Sequence, residues 1–406
     1  MSSVCFYFQV HQPFRLKPFN CFQIGRDHSY FDEALNRKLM QRIALKCYLP
    51  ANRLLLDLIY KHKGRFRAAF SITGTALEQF EKYAPEVMHS FRELAQTGCV
   101  EFLGETYHHS LSFLYSADEF IRQVKLHSAA VEDLTGQRPE VFRNTELIYN
   151  NELALTVHAL GFRGILCEGV SHLLGTRSPN FVYHVPGLPR MKCLLKNYQL
   201  SDDIAFRFSD KDWAHYPLTA GTYARWINNL AECGDTVNLF MDYETFGEHQ
   251  WSDTGIFSFM RQLPDEILKG SDFEFRTPSE IISSYPAHEA YDVPDYTSWA
   301  DQERDLSAWL GNDMQRDAME RAFALELQVK KTGDSELRDT WAKLLASDHF
   351  YYMCTKHWTD GEIHKYFSPY KSPYDAYINY MNVLHDLEAT LQKSAARKIS
   401  MEMSLN

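Results

Sequence analysis

Val4-Cys5-Phe6-Tyr7-Phe8-Gln9-Val10, followed at once by His11-Gln12-Pro13, is the stretch on which the fold turns. The run does not alternate apolar and polar residues, as a strand with one wet face would. It suits a strand covered on both faces, the arrangement of a parallel sheet. Similar runs recur at 67–72, 99–103, 141–143, 164–167, 194–196, 204–206 and 237–241. Between them Phe120, Ile121, Val124, Val131 and Leu134 keep to one helical face, and 54–59 reads as part of another helix. This alternation predicts βαβ units and, at this number of strands, a closed or nearly closed α/β barrel.

Past about residue 285 the pattern changes. Pro286, Pro294, Asp295 and Tyr296 read as a linker, after which only helical periods follow. Trp341, Leu344, Leu345 and Tyr352 share one face; Tyr377, Tyr380, Met381, Leu384, Leu387 and Leu391 share another. The expected organisation is a catalytic barrel over 1–285, a helical domain over 286–394 packed on it, and a frayed tail over 395–406.

The 406 residues carry 42 Lys plus Arg against 53 Asp plus Glu, a net charge of −11 that argues against nucleic acid as a partner. Eight cysteines without a Cys-x-x-Cys fit neither a zinc ribbon nor a disulfide framework, so they read as reduced, mostly buried thiols. The first residues lack a basic segment, and no window approaches the roughly 18 apolar residues of a membrane span. A soluble, cytoplasmic protein without membrane contact is the expectation. Aromatics make up 14% of the chain and histidines number 17, which suggests a stacking surface beside a polar pocket.

In a parallel barrel the residues that follow each strand gather at one rim. The first run ends in His11-Gln12-Pro13, and the third in Gly104-Glu105-Thr106-Tyr107-His108-His109. The fourth ends in Asn144-Thr145-Glu146, the fifth in Glu168, and the last in Asp242-Tyr243-Glu244-Thr245-Phe246-Gly247-Glu248-His249. A single strand-end acid is usually a helix cap, and a single histidine is usually structural. Neither explains why such groups recur at several strand ends. Two carboxylates facing a neutral polyol, with imidazoles for its hydroxyls and aromatic rings for its faces, are the equipment of glycoside hydrolysis. No glycine-rich phosphate loop or serine nucleophile elbow is present, and the reading needs no cofactor and no metal.

Five segments carry a family resemblance. They are His11-Gln12-Pro13, Glu101-Phe102-Leu103-Gly104-Glu105-Thr106-Tyr107-His108, Val141-Phe142-Arg143-Asn144-Thr145-Glu146, Met241-Asp242-Tyr243-Glu244-Thr245-Phe246-Gly247-Glu248-His249 and Ala346-Ser347-Asp348-His349-Phe350-Tyr351-Tyr352-Met353. In order and spacing they resemble the five conserved regions of glycoside hydrolase family 57, closest to its α-amylase-like members. The resemblance implies an incomplete (β/α)7 TIM-like barrel followed by a C-terminal α-helical bundle, acting on α-1,4-glucans with retention of configuration. It implies Glu146 as nucleophile and Asp242 as general acid/base. His11, Glu244 and His249 would line the subsite where the bond is cut, with His349 closing it.

Gln12, Glu105 and His108, from the same regions, are read as substrate-binding residues. Among Trp213, Trp226, Trp251, Trp299, Trp309, Trp341 and Trp358, Trp251 is favoured for stacking on sugar, and Trp341 for a core role. Asp242 must hold a proton near neutral pH, and negative Glu146 and Glu244 are expected to raise its pKa. Three alternatives accompany this reading. One is a 4-α-glucanotransferase using the same residues, and another is a metal-dependent polysaccharide deacetylase with His11, His108 and Asp242 as ligands. The third is a glycan-binding protein without catalysis.

Overall fold

Strand β1, Ser2–Val10, is buried at every position, and its alternate residues enter two different cores. Val4, Phe6, Phe8 and Val10 pack with Leu54, Leu58, Phe80 and Phe91 from helices. Cys5 and Tyr7 pack with Ala69, Val141, Leu166, Leu194 and Phe240 from other strands. Both faces are therefore apolar, which is why the run shows no polar alternation. The computed structural model describes residues 2–270, 273–356 and 368–404.

β1 pairs in parallel with β2 (Ala68–Ile72), β8 (Thr236–Asp242) and β9 (Phe273–Phe275), and β2 pairs in parallel with β3 (Val100–Phe102). A second sheet has the order β4-β5-β7-β6, with β4 at Val141–Arg143, β5 at Gly164–Glu168, β6 at Val182–Val185 and β7 at Leu188–Lys196. Only β6 runs antiparallel to its neighbour there. Backbone bonds link the two sheets at both sides. Gly104 donates to the Val141 carbonyl (2.9 Å) and accepts from Arg143 (2.8 Å), and the Asn197 N–H reaches the Asn238 carbonyl (2.9 Å). A Cβ at Gly104 would sit 2.6 Å from the Phe162 ring, so glycine leaves room for that ring beside the junction. The chain thus has an α/β architecture of largely parallel sheets with helices between the strands.

Residues 204–206, expected as a strand, instead lie at the end of the helix Tyr198–Ala205 and its C-cap. The apolar run misleads because Asn197 caps that helix, its side chain accepting the Leu200 N–H at 3.1 Å. The short strands β6 and β9 are not evident from the apolar pattern.

Close packing divides the chain into two compact units. The first comprises Met1–Gln12, Arg37–Thr106 and Gln123–Trp299, and holds all the named strands; the second comprises Pro13–Asn36, Tyr107–Arg122 and Ala300–Asn406. The second unit contains the helices Asp313–Ala324, Glu326–Thr332, Ser335–Leu344 and Pro373–Ser404. Its core includes Trp309, Trp341, Phe350 and Tyr380, all nearly without exposure. The Trp341 indole donates to the Ala322 carbonyl (2.7 Å), so this residue has the core role expected of it. Buried Asp386 accepts from the Gly25 N–H (2.6 Å) and the Tyr30 hydroxyl (2.6 Å), which ties the 13–36 segment to the last helix. Trp358 lies outside the described residues. Among those residues no helix is long and apolar enough to cross a membrane.

Candidate active site

β4 ends at Arg143, and the chain then turns through Asn144-Thr145-Glu146. Glu146 has φ 57° and ψ 26°, and Leu147 follows with φ 51°. Left-handed backbone costs a non-glycine residue about 1–2 kcal/mol, so two in succession persist only where their surroundings over-determine them. Here they do. The Asn144 amide donates to the Ile148 carbonyl (3.0 Å), and the Thr145 and Thr106 hydroxyls bond at 2.7 Å. Tyr149 and Thr297 exchange backbone bonds of 2.9 and 3.0 Å, and Leu147 is fully buried. Trp299 grips Glu146 twice: its backbone N–H donates to the Glu146 carbonyl (3.2 Å), and its indole N–H donates to Glu146 Oε2 (2.8 Å).

β8 delivers Asp242 and then a tight turn over Tyr243–Thr245. Glu244 is 6% exposed and accepts from the Tyr48 hydroxyl and from Gln12 Nε2 (3.3 Å). Burial first, and the Asp242 charge second, push the Glu244 carboxyl from 4.5 up to about 8 despite those two donors. The Glu244 carboxyl is therefore largely protonated at neutral pH.

In the β1–β8 pairing Gln9 lies opposite Asp242. Gln9 Nε2 reaches both Glu105 oxygens at 3.3 Å, and its carbonyl oxygen accepts from Tyr7 (2.8 Å). Glu105 is fully buried; its N–H donates to His127 Nδ1 (3.2 Å), which leaves His127 Nε2 to donate to the Ile72 carbonyl (2.8 Å). That fixes one tautomer of a histidine that burial keeps neutral. His11 Nδ1 meets the Thr73 hydroxyl at 3.0 Å. Burial pushes His249 down to about 4, so it too is neutral at neutral pH. Glu248 is paired with Arg42.

Of the residues singled out in the sequence, His11, Gln12, Glu105, Glu146, Asp242, Glu244, His249 and Trp251 belong to the first unit. The structure links Gln12 to Glu244 directly, and Glu105 through Gln9 to the strand position beside Asp242. Trp251 is 56% exposed, with Lys46 Nζ 5.3 Å from its ring centre. His108 and His349 belong to the second unit. There His108 Nε2 lies 3.6 Å from Asp339, and the His349 ring lies 5.6 Å from that of Tyr380.

Three contributors escaped the sequence reading. Tyr48 ends a wide helical turn, Ala44–Tyr48, and nothing local marks it. Gln9 and Arg143 are polar residues inside apolar strands, and that interruption was the available signal.

An α/β frame that brings carboxylates, neutral imidazoles and amides to the ends of parallel strands is the arrangement a glycosidase needs. The sequence pattern of Glycosyl hydrolase family 57 matches residues 5–294. A curated relative from Methanocaldococcus jannaschii, named "Putative alpha-amylase", is 43% identical over 97% of this chain and 86% of its own. The chain belongs to glycosyl hydrolase family 57. Solved structures agree in fold. The 4-alpha-glucanotransferase of Thermococcus litoralis aligns with TM-score 0.64 and 14% identity over 86% of this chain, which spans 56% of that longer one. An alpha-amylase of Thermotoga maritima aligns with TM-score 0.62 and 13% identity over 97% of this chain and 94% of its own.

Proposed function

We propose that this protein is an α-amylase-like hydrolase that cleaves α-1,4-glucosidic bonds with retention of configuration. The observation that carries the reading is the clamped, left-handed Glu146, a strand-end carboxylate held by the Trp299 indole. In the first step a Glu146 oxygen attacks C1 of the glucosyl unit, the C1–O4 bond breaks, and Asp242 gives its proton to the departing O4. In the second, water attacks C1, Asp242 takes the water's proton, and Glu146 leaves as carboxylate. His11, Gln12, Glu105, Glu244 and His249 line the cleavage subsite, with Trp251 further out.

The same proposal takes seven of the parallel strands, β1, β2, β3, β4, β5, β7 and β8, as an incomplete (β/α)7 barrel. The bonds joining the sheet edges at Gly104 and Asn197 support it. The barrel occupies roughly residues 1–285 and the helical bundle 286–394. All eight cysteines are free thiols, six of them buried, in keeping with a reducing, cytoplasmic setting.

Product analysis on maltoheptaose tests this. Shorter products alone, released with retained anomeric configuration, support hydrolysis. Products longer than the substrate mean that a sugar hydroxyl replaces water, and no turnover contradicts the reading. Glu146→Gln and Asp242→Asn should each lower kcat about 10³-fold or more with the unfolding temperature maintained.

A further inference from the structure

We propose that Trp299 is the positioning residue of the nucleophile, its indole N–H fixing the Glu146 carboxylate in the orientation needed for attack. The inference rests on Glu146 being the nucleophile. Three observations carry it.

Trp299 holds Glu146 by two separate bonds, one to the backbone carbonyl (3.2 Å) and one to the carboxylate (2.8 Å). Main-chain and side-chain position of this one residue are thereby set by the same partner.

The indole is also flanked by two cations. The Arg143 guanidinium lies 4.6 Å from the ring centre, and Lys196 Nζ lies 5.3 Å from it. Arg143 is fully buried, its three nitrogens find no hydrogen-bond acceptor among the described residues, and its charge lies over the ring. Positive charge over an indole draws electron density toward the ring face and makes the N–H a stronger donor. Arg143 thus supports the Glu146 carboxylate through the ring.

Finally, a tryptophan that stacks on sugar must offer an open face. Trp299 is half-buried with two cations over its ring, whereas Trp251 is 56% exposed. Of the two, Trp299 is placed to orient the nucleophile.

Two replacements separate this role from packing. Trp299→Phe removes the donor and part of the ring. β-(3-Benzothienyl)alanine at 299 keeps the bicyclic shape and replaces only the N–H by sulfur. The backbone bond to the Glu146 carbonyl survives in both. The expected result, on maltooligosaccharides and on α-glucosyl fluoride, is a fall in kcat of about 10–100-fold for both replacements. KM should stay within about threefold, because ground-state binding is untouched. Native kcat in the benzothienyl protein overturns the proposal, as does a rise in KM without loss of kcat. Should Trp299→Phe fail to fold, the benzothienyl protein alone decides.

Glu146→Gly with added azide tests the underlying role separately. Restored turnover with release of β-glucosyl azide upholds Glu146 as nucleophile, and a native benzothienyl kcat then removes the Trp299 role alone. No azide rescue removes both.

Discussion

At Glu244 burial and the adjacent Asp242 charge hold the carboxyl protonated up to about pH 8, while Tyr48 and Gln12 satisfy one of its oxygens. The folded pKa lies above the unfolded value, so the protonated group's contribution is complete below about pH 4.5 and is lost as pH rises toward 8. Glu244→Gln keeps the shape and cannot ionise. Its stability relative to the native protein should therefore rise between pH 5 and pH 8 by a few kcal/mol, read from urea unfolding midpoints. An equal difference at both pH values would show that Glu244 is already ionised when folded. At this scale the sequence is informative about Glu146, Asp242 and Glu244, because each follows an apolar run within a recognisable motif. It is uninformative about Tyr48 and the double grip of Trp299. The Trp299 bond spans 153 positions, and long-range pairing such as the bridge of 297 to 149 brings its ends together.

The end of β8 and the loop after it carry most of the site's acids. Within it Gly247 has φ +107°, and a Cβ there would overlap the Lys46 carbonyl oxygen in the turn that bears Tyr48. Glycine is required both for the conformation and for the contact, which lets the Glu244 turn close against Tyr48. Gly247→Ala is expected to destabilise the protein by about 2–4 kcal/mol and to lower activity with it, since Glu244 and His249 flank the position. A variant that melts within a degree of the native protein would mean that the loop rearranges freely. The runs 4–10, 67–72, 99–103, 141–143 and 237–241 read as strands because burial on both faces leaves an unbroken apolar signature. Residues 204–206 carry the same signature at a helix end and its C-cap, and period alone cannot separate the two over three residues.

Across the whole molecule the net charge of −11 argues against nucleic acid as a partner, and it has a second consequence for a neutral glucan. An uncharged substrate is not steered by the protein's field, so kcat/KM on maltoheptaose should change less than about twofold between roughly 0.05 and 0.5 M salt. A steep salt dependence would indicate a charged substrate. The grouping of 13–36 and 107–122 with the residues after 299 was not legible in the chain, because it depends on long-range bonds such as those of Asp386. The account depends most on the covalent intermediate. Incubating the protein with 5-fluoro-α-D-glucosyl fluoride, digesting it and locating the added mass tests that directly. The account predicts a single glucosyl label on Glu146; a label on Asp242 or Glu244, or turnover with inversion and no label, would contradict it.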